Sequence, residues 1–165
     1  LPEAAKLCAR HPDVPIVIDH LGKPRILIQA DEPDGNTTGS HNVNQEELEA
    51  WRSGMKAMAA IPHVHVKLSM RGYAVPGWQR TSARMEFLQD PIEETVDLFG
   101  TDRCMVALNW WKDGATSDSD GLSDIGPDPV QLLKLMSDYF LAKYSSIERT
   151  NMFASNARQF YNMHC

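Results

Sequence analysis

The sequence predicts an α/β fold built on a parallel sheet, because short apolar runs alternate with segments of helical periodicity. Three runs have the length and composition of buried strands, at residues 15–20, 64–69 and 104–109. Each is followed by a helical segment long enough to cross back over the sheet, as parallel pairing requires. One initial helix and three strand–helix repeats thus indicate right-handed crossovers, in either a doubly wound sheet or a barrel.

Composition limits the class of protein and its partners. A chain of 165 residues with 42% hydrophobic content supports one core, so we expect one domain over residues 1–165. The net charge of −6 offers no basic stripe for nucleic acid or an anionic membrane. No apolar stretch approaches the roughly 20 residues of a membrane helix. A small soluble molecule is therefore the expected partner.

The cysteines and the amino terminus indicate the compartment. Cys8, Cys104 and Cys165 are an odd number without close pairing, and we expect no secretory leader ahead of Leu1. A secreted domain built on disulfides is disfavoured, and a reducing, cytoplasmic location is expected.

Local signals delimit the elements of the first half of the chain. Asn44 is placed to cap a helix together with Glu47, three positions on, and Pro62 ends that helix. In the strand that follows, alternation separates Val64, Val66 and Leu68 from His65, Lys67 and Ser69 on the opposite face. The predicted order is a helix at residues 1–10, a strand at 15–20, a polar loop at 23–42, the helix after Asn44 and the strand at 64–69.

The second half contains two further capping patterns. Asp90 and Asp128 are each followed by a proline at the first helical position and a capping-box partner, and Gly100 is typical of a helix end. The predicted order is a short helix at residues 82–89, a second one starting at Asp90, the strand at 104–109, an acidic loop at 112–127, a helix starting at Asp128 and a last helix at 155–163.

Candidate functional residues lie at the carboxyl end of each predicted strand. His20 ends the first strand, Ser69 ends the second with Arg71 just beyond it, and Asn109 ends the third with Trp110 next to it. In both parallel architectures the carboxyl ends of the strands lie at one edge and collect the functional groups. We therefore expect these residues to meet.

Four short motifs occur in order along nearly the whole chain. They are Asp19-His20-Leu21-Gly22-Lys23-Pro24, Val66-Lys67-Leu68-Ser69, Phe99-Gly100-Thr101-Asp102-Arg103-Cys104-Met105, and Asn156-Ala157 with Phe160-Tyr161. Together they resemble the amidohydrolase-related family of the lactonase type, which includes pyrone dicarboxylate and sugar lactone hydrolases. The resemblance implies a (β/α)8 barrel whose sixth, seventh and eighth strands are the three found here, with the active site at their carboxyl ends.

The resemblance also implies that this chain is the C-terminal portion of the family's domain. The family has a His-x-His pair on its first strand, and a complete barrel needs about 250 residues, whereas this chain has 165. We therefore expect a partial barrel of about the last three βα units. Either a missing N-terminal half or a partner, such as a second copy in a homo-oligomer, would complete its core.

His20 and Asn109 are the candidate catalytic residues. Alternation along the first strand points His20 inward with Ile16 and Ile18, and Asp19 the other way as a structural partner. In the family pattern the matching histidine polarises the scissile carbonyl or holds a metal ion; a histidine packed at the barrel rim is the structural alternative. Asn109 replaces the family's water-activating Asp, and an amide cannot accept a proton near neutral pH. It would position water or substrate instead.

Lys67, Ser69, Arg71 and Trp110 are the candidate substrate-binding residues. Lys67 should point inward with Ser69, and a buried ammonium requires an anion, which is either a substrate carboxylate or a structural one. Arg71 is a further candidate for anion binding or a solvated loop residue. Trp110 would stack on a substrate ring or pack at the strand exit.

His63 and His65 have the spacing of a metal pair on a strand. They lie at the start of their strand, where barrels keep structural residues, so no metal ligand is assigned and His65 is expected to fill the barrel bottom. The cofactor prediction is either none or a divalent metal such as zinc, as in metal-bearing relatives.

The resemblance implies a hydrolase acting on a lactone, an ester or a related carboxylated small molecule. A truncated, non-catalytic remnant or binding module is the alternative, because the first-strand histidines and the general base are missing. A compact doubly wound binding domain is a third hypothesis, since three βα units do not by themselves define a barrel.

Overall fold

A parallel sheet forms the centre of the computed structural model, which describes residues 1–28, 43–75, 77–78, 81–109 and 129–163. Strands β1 (Ile16–Ile18), β2 (Val64–Leu68) and β3 (Cys104–Val106) lie in that order. β2 pairs in parallel with both neighbours, with Ile18 opposite Val66 and Val66 opposite Cys104. The predicted parallel sheet is confirmed, although each strand is shorter than its apolar run.

Helices occupy most of the remaining described chain. They are α1 (Pro2–Ala9), α2 (Gln45–Ala59), α3 (Ser82–Phe99), α4 (Pro129–Leu135), α5 (Ser146–Thr150) and α6 (Asn156–Phe160). One π-helical turn, Met136–Phe140, follows α4, and another, Asn151–Ser155, joins α5 to α6. Within the described ranges, no helix is both long enough and apolar enough to cross a membrane.

The predicted cap of α2 is confirmed, and the last helical region is longer than predicted. The Asn44 side chain accepts a hydrogen bond of 3.1 Å from the backbone N–H of Glu47. Ser145 and Glu148 form a capping box that starts α5 at Ser146, whereas the last helix was predicted to start at residue 155. The sequence Ser145-Ser146-Ile147-Glu148 has the spacing of such a box.

One continuous helix, α3, replaces the two short helices predicted on either side of Asp90. Pro91 lies inside it, although an interior proline costs about 3 kcal/mol. Leu88, Ile92 and Val96 lie on both sides of the proline and are all buried. Each such side chain stabilises the fold by about 1.5–3 kcal/mol on burial, so the continuous apolar stripe outweighs the local helix breaker.

One face of the sheet carries the core. Ile18, Val64, Val66 and Leu68 are buried there together with side chains of α1, α2 and α3. The buried helix residues include Cys8, Trp51, Met55, Met58, Leu88, Ile92, Val96 and Phe99. The helices therefore cover the face of Val64, Val66 and Leu68, and the face of His65 and Lys67 is the opposite one.

Arg103 fastens the elements at the amino-terminal side of the sheet. Its guanidinium donates to four backbone carbonyls, those of Phe99 at 2.8 Å, Ile61 at 3.0 Å, Ala59 at 3.1 Å and Val64 at 3.3 Å. The ends of α2 and α3 are thereby tied to the start of β2.

Asn156 makes a second link on the same side. Its Nδ2 donates to the carbonyls of Thr101 and Cys104, each at 2.7 Å. The third and fourth sequence motifs thus meet through Asn156, and these contacts are structural.

The connection after β1 is a left-handed turn. Four consecutive residues have positive φ: His20 (59°), Leu21 (54°), Gly22 (73°) and Lys23 (55°). The backbone N–H groups of Gly22 and Lys23 donate to the carbonyls of Asp19 and His20 at 3.1 and 2.7 Å. A residue with a Cβ loses roughly 1–2 kcal/mol in this conformation, so the turn is strained wherever it lacks glycine.

Substitutions at Lys23 should report this strain. Because glycine adopts positive φ without penalty, we expect Lys23→Gly to be more stable than Lys23→Ala by roughly 0.5–1 kcal/mol in denaturant unfolding. The same two substitutions at Lys56, an exposed position inside α2, are the matched control. Glycine there should be less stable than alanine by about 1 kcal/mol. The same order of stability at both positions would contradict a strained Lys23.

Candidate active site

His20 and Ser69 form a hydrogen-bonded pair where β1 and β2 end. The Nδ1 atom of His20 lies 3.0 Å from Oγ of Ser69, 49 positions away in the sequence. Ser69 follows β2 directly and is 0% exposed. The expectation that these two strand ends meet is confirmed.

The predicted directions of Ile16, Ile18 and Asp19 are wrong. Ile18 is buried in the core on the helix-covered face and Ile16 packs against it, so neither points away from the helices. Asp19 lies on the opposite face, where its carboxylate reaches Lys67. His20 does not continue the alternation, because its positive φ of 59° turns the chain out of the extended conformation.

Lys67 forms an ion pair with Asp19. Its Nζ lies 2.9 Å from Oδ1 of Asp19 and 5.5 Å from the ring centre of Tyr161. Hydrogen bonding to Tyr161, and then the hydrogen bond and charge of Asp19, raise the pKa of Lys67 above its ordinary value. The structural carboxylate considered for Lys67 is therefore present, and substrate binding by Lys67 stays a prediction.

Arg71 is buried among side chains and backbone. It is 0% exposed; its Nη1 donates to the carbonyl of Leu68 at 3.1 Å and approaches Sδ of Met136 at 3.2 Å. The guanidinium carbon lies 5.4 Å from the ring centre of Trp78. The solvated-loop alternative is wrong because the side chain folds back under the strand end. Substrate binding by Arg71 stays a prediction.

Asn109 lies after β3 at the same edge of the sheet and is exposed. It has positive φ, 51°, as do His20 after β1 and Met70 after β2, at 59° and 49°. All three strands thus lead into a left-handed residue that is not glycine. Such strain concentrates at functional sites, where the surrounding structure holds it in place. Trp110 lies outside the described residues.

Tyr73 is a neighbour of His20 that sequence reasoning missed. Its ring centre lies 5.9 Å from that of His20 and 4.6 Å from Nζ of Lys23. No spacing rule indicates this contact, because Tyr73 comes from the turn after β2 and Lys23 from the turn after β1. An aromatic ring and a cation are thereby added to the His20 side of the edge.

His63 and His65 lie at the start of β2, away from this edge. The His65 ring packs 4.9 Å from Phe160, and burial lowers the pKa of His65. A zinc site needs three or four protein ligands, and the described residues contain no group of three or more His, Cys, Asp or Glu that could hold a metal. These residues by themselves do not fit a metal site.

The fold and this edge define an α/β protein with a histidine and a serine at the position where α/β enzymes hold their catalytic groups. The chain belongs to the amidohydrolase family, whose model matches residues 1–163. The resemblance noted in the four motifs is thereby confirmed.

Two curated relatives match the chain. The uncharacterized protein y4mH of Sinorhizobium fredii is 30% identical over 161 residues, which are 98% of this chain and 43% of that protein. The L-fucono-1,5-lactonase of Burkholderia multivorans is 31% identical over 113 residues, which are 67% of this chain and 33% of that protein. The chain therefore spans less than half the length of these relatives.

Solved structures show the same fold at lower identity. An amidohydrolase from Burkholderia multivorans with bound zinc has a TM-score of 0.67 and 23% identity, over 99% of this chain and 49% of that one. Amidohydrolase 2 from Bifidobacterium longum subsp. infantis has a TM-score of 0.54 and 21% identity, over 99% and 46%. At these identities the similarity is one of fold alone.

Proposed function

We propose that the chain is the carboxyl-terminal part of a (β/α)8-barrel hydrolase that acts on a lactone, an ester or a related carboxylated small molecule. The observation that carries the proposal is the His20–Ser69 pair at the carboxyl edge of a parallel sheet. Family membership and the lactonase among the relatives support the reaction class.

The sheet itself supports an incomplete barrel. Within the described residues, β1 and β3 each pair with β2 and with no further strand. An uncovered edge strand has unpaired backbone N–H and C=O groups that can pair with another strand. A closed barrel has no such edges. We propose that the N-terminal half of the barrel, or a second copy of the chain, pairs with these edges.

His20 would polarise the scissile carbonyl. An N–H at Nε2 can donate a hydrogen bond to the carbonyl oxygen, which becomes an oxyanion when water adds to the carbonyl carbon. The oxyanion then re-forms the carbonyl as the C–O bond to the leaving oxygen breaks. The leaving oxygen takes up a proton that balances the one given up by the attacking water, and a lactone is thereby opened to a hydroxy acid.

Asn109 would orient one of the reactants. Its amide has an acceptor oxygen for water and two N–H donors for substrate. Because an amide does not take up the proton of the attacking water, that proton must pass to a group outside the pair His20 and Asn109.

A matched substrate panel tests the proposal. The protein that carries this chain is incubated with an aldono-1,5-lactone, an open-chain ester and an amide of the same acid. Acid release from the lactone and the ester is followed with a pH indicator, and ammonia release is measured for the amide, whose hydrolysis releases no net proton near neutral pH. We expect lactone or ester hydrolysis above the spontaneous rate and little hydrolysis of the amide. Rates equal to the blank for all three compounds would contradict the proposed function.

A further inference from the structure

We propose that Ser69 is a positioning residue that donates its hydroxyl proton to Nδ1 of His20 and so keeps the proton of the neutral ring on Nε2. The inference deepens the proposed function and rests on it for the role of His20. The geometry that carries it is the contact of 3.0 Å between Ser69 Oγ and His20 Nδ1.

The burial of Ser69 argues against direct contact with the substrate, either as a binding group or as a nucleophile. Ser69 is 0% exposed in a chain that spans less than half the length of its relatives. Additional chain can only cover the side chain further. A nucleophile must reach the substrate carbonyl, whereas a buried hydroxyl can act only through the group it contacts. Ser69 therefore acts through His20.

Buried neighbours hold the two partners in place. The Leu21 side chain is 0% exposed, and its carbonyl accepts a hydrogen bond of 2.7 Å from Nε1 of Trp51. The left-handed turn that carries His20 is thus anchored to α2. Met70, directly after Ser69, is buried and left-handed with φ 49°. Strained backbone on both sides of the contact persists only where packing determines the geometry.

His20 can polarise a carbonyl through Nε2 only if Nε2 carries the proton of the neutral ring. A neutral imidazole has one donor and one acceptor nitrogen, and the hydrogen bond made at one nitrogen sets the role of the other. A serine hydroxyl can donate to Nδ1, which makes Nε2 the protonated atom. Since the two ring nitrogens point in different directions, the Nε2 proton is directed away from Ser69.

Nitrogen NMR of the protein labelled with ¹⁵N-histidine tests the proposal. The His20 signals are assigned by their loss in His20→Asn. Above the pH at which the ring titrates, we expect Nδ1 to show the shift of an unprotonated nitrogen and Nε2 that of a protonated one. In Ser69→Ala the two shifts should move toward the average of a tautomer mixture, whereas Ser69→Thr, which keeps a hydroxyl, should restore them. Ser53→Ala, at an exposed position in α2, should change nothing.

A protonated Nδ1 in the unmodified protein, or unchanged shifts in Ser69→Ala, would overturn the proposal. If Ser69→Ala does not fold, the spectrum of the unmodified protein still decides the position of the proton. The measurement is independent of turnover. Expected shifts without any hydrolysis would refute the proposed function and leave the positioning intact.

Discussion

His20→Asn is expected to lower kcat/KM for lactone or ester hydrolysis by about 10²–10⁴-fold, the range found for positioned proton-transfer groups. Asparagine tolerates positive φ, so the turn at φ 59° should persist, but its shorter side chain places no atom where Nε2 lies. The loss should appear mainly in kcat, because the interaction with the carbonyl oxygen strengthens as the oxyanion forms.

Two controls separate chemistry from folding in this experiment. His11→Asn changes an exposed histidine between α1 and β1 and should leave hydrolysis unchanged. Thermal unfolding should show that His20→Asn retains a cooperative transition close to that of the unmodified protein. A folded His20→Asn variant with unchanged kcat/KM would remove His20 from the mechanism.

Arg103→Met is expected to destabilise the fold by about 3–5 kcal/mol. Its four hydrogen bonds reach the carbonyls of Ala59, Ile61, Val64 and Phe99, and losing the charged donor removes one hydrogen bond from each of these acceptors. Methionine keeps an apolar stem of similar length, so the packing of the side chain is largely preserved. Urea unfolding followed by circular dichroism measures the change.

Two further variants test whether the several N–H donors of the Arg103 guanidinium are the cause of the loss. Arg103→Lys keeps the charge but cannot reach four carbonyls from one ammonium, so its stability should lie between those of the unmodified protein and Arg103→Met. Arg10→Met, at an exposed position after α1, should shift stability by no more than about 0.5 kcal/mol. Similar losses for Arg10→Met and Arg103→Met would refute the structural role of Arg103.

The elements that followed the predictions depend on local chemistry. The cap at Asn44 and the end of α3 at Gly100 require only neighbouring backbone groups and a permissive φ. The two helices predicted around Pro91 were wrong because the proline signal is local, whereas the apolar stripe on both sides of it is buried by contacts made elsewhere.

The candidate site likewise contains some features that the sequence predicts and others that depend on tertiary contacts. Strand polarity placed His20 and Ser69 at one edge, and the structure joins them. The alternation rule put Asp19 on the wrong face. Alternation separates the residues of a strand into two faces, but it does not say which of the two faces packs against the helices. The burial of Arg71 depends on Met136, which reaches it from a distant part of the chain, as well as on the nearby Trp78.

By itself the sequence determined the parallel α/β order, the edge where polar residues collect, and the family. Periodicity, caps and motifs are properties of short segments, so they can be read from the sequence without knowledge of tertiary contacts. Only the tertiary structure decided which polar groups touch: Lys67 with Asp19, and Ser69 with His20. The physical reason is that such contacts depend on strand register and on the left-handed turn after β1. Three of the four residues with positive φ in that turn are not glycine, so the residue types do not predict the left-handed conformation.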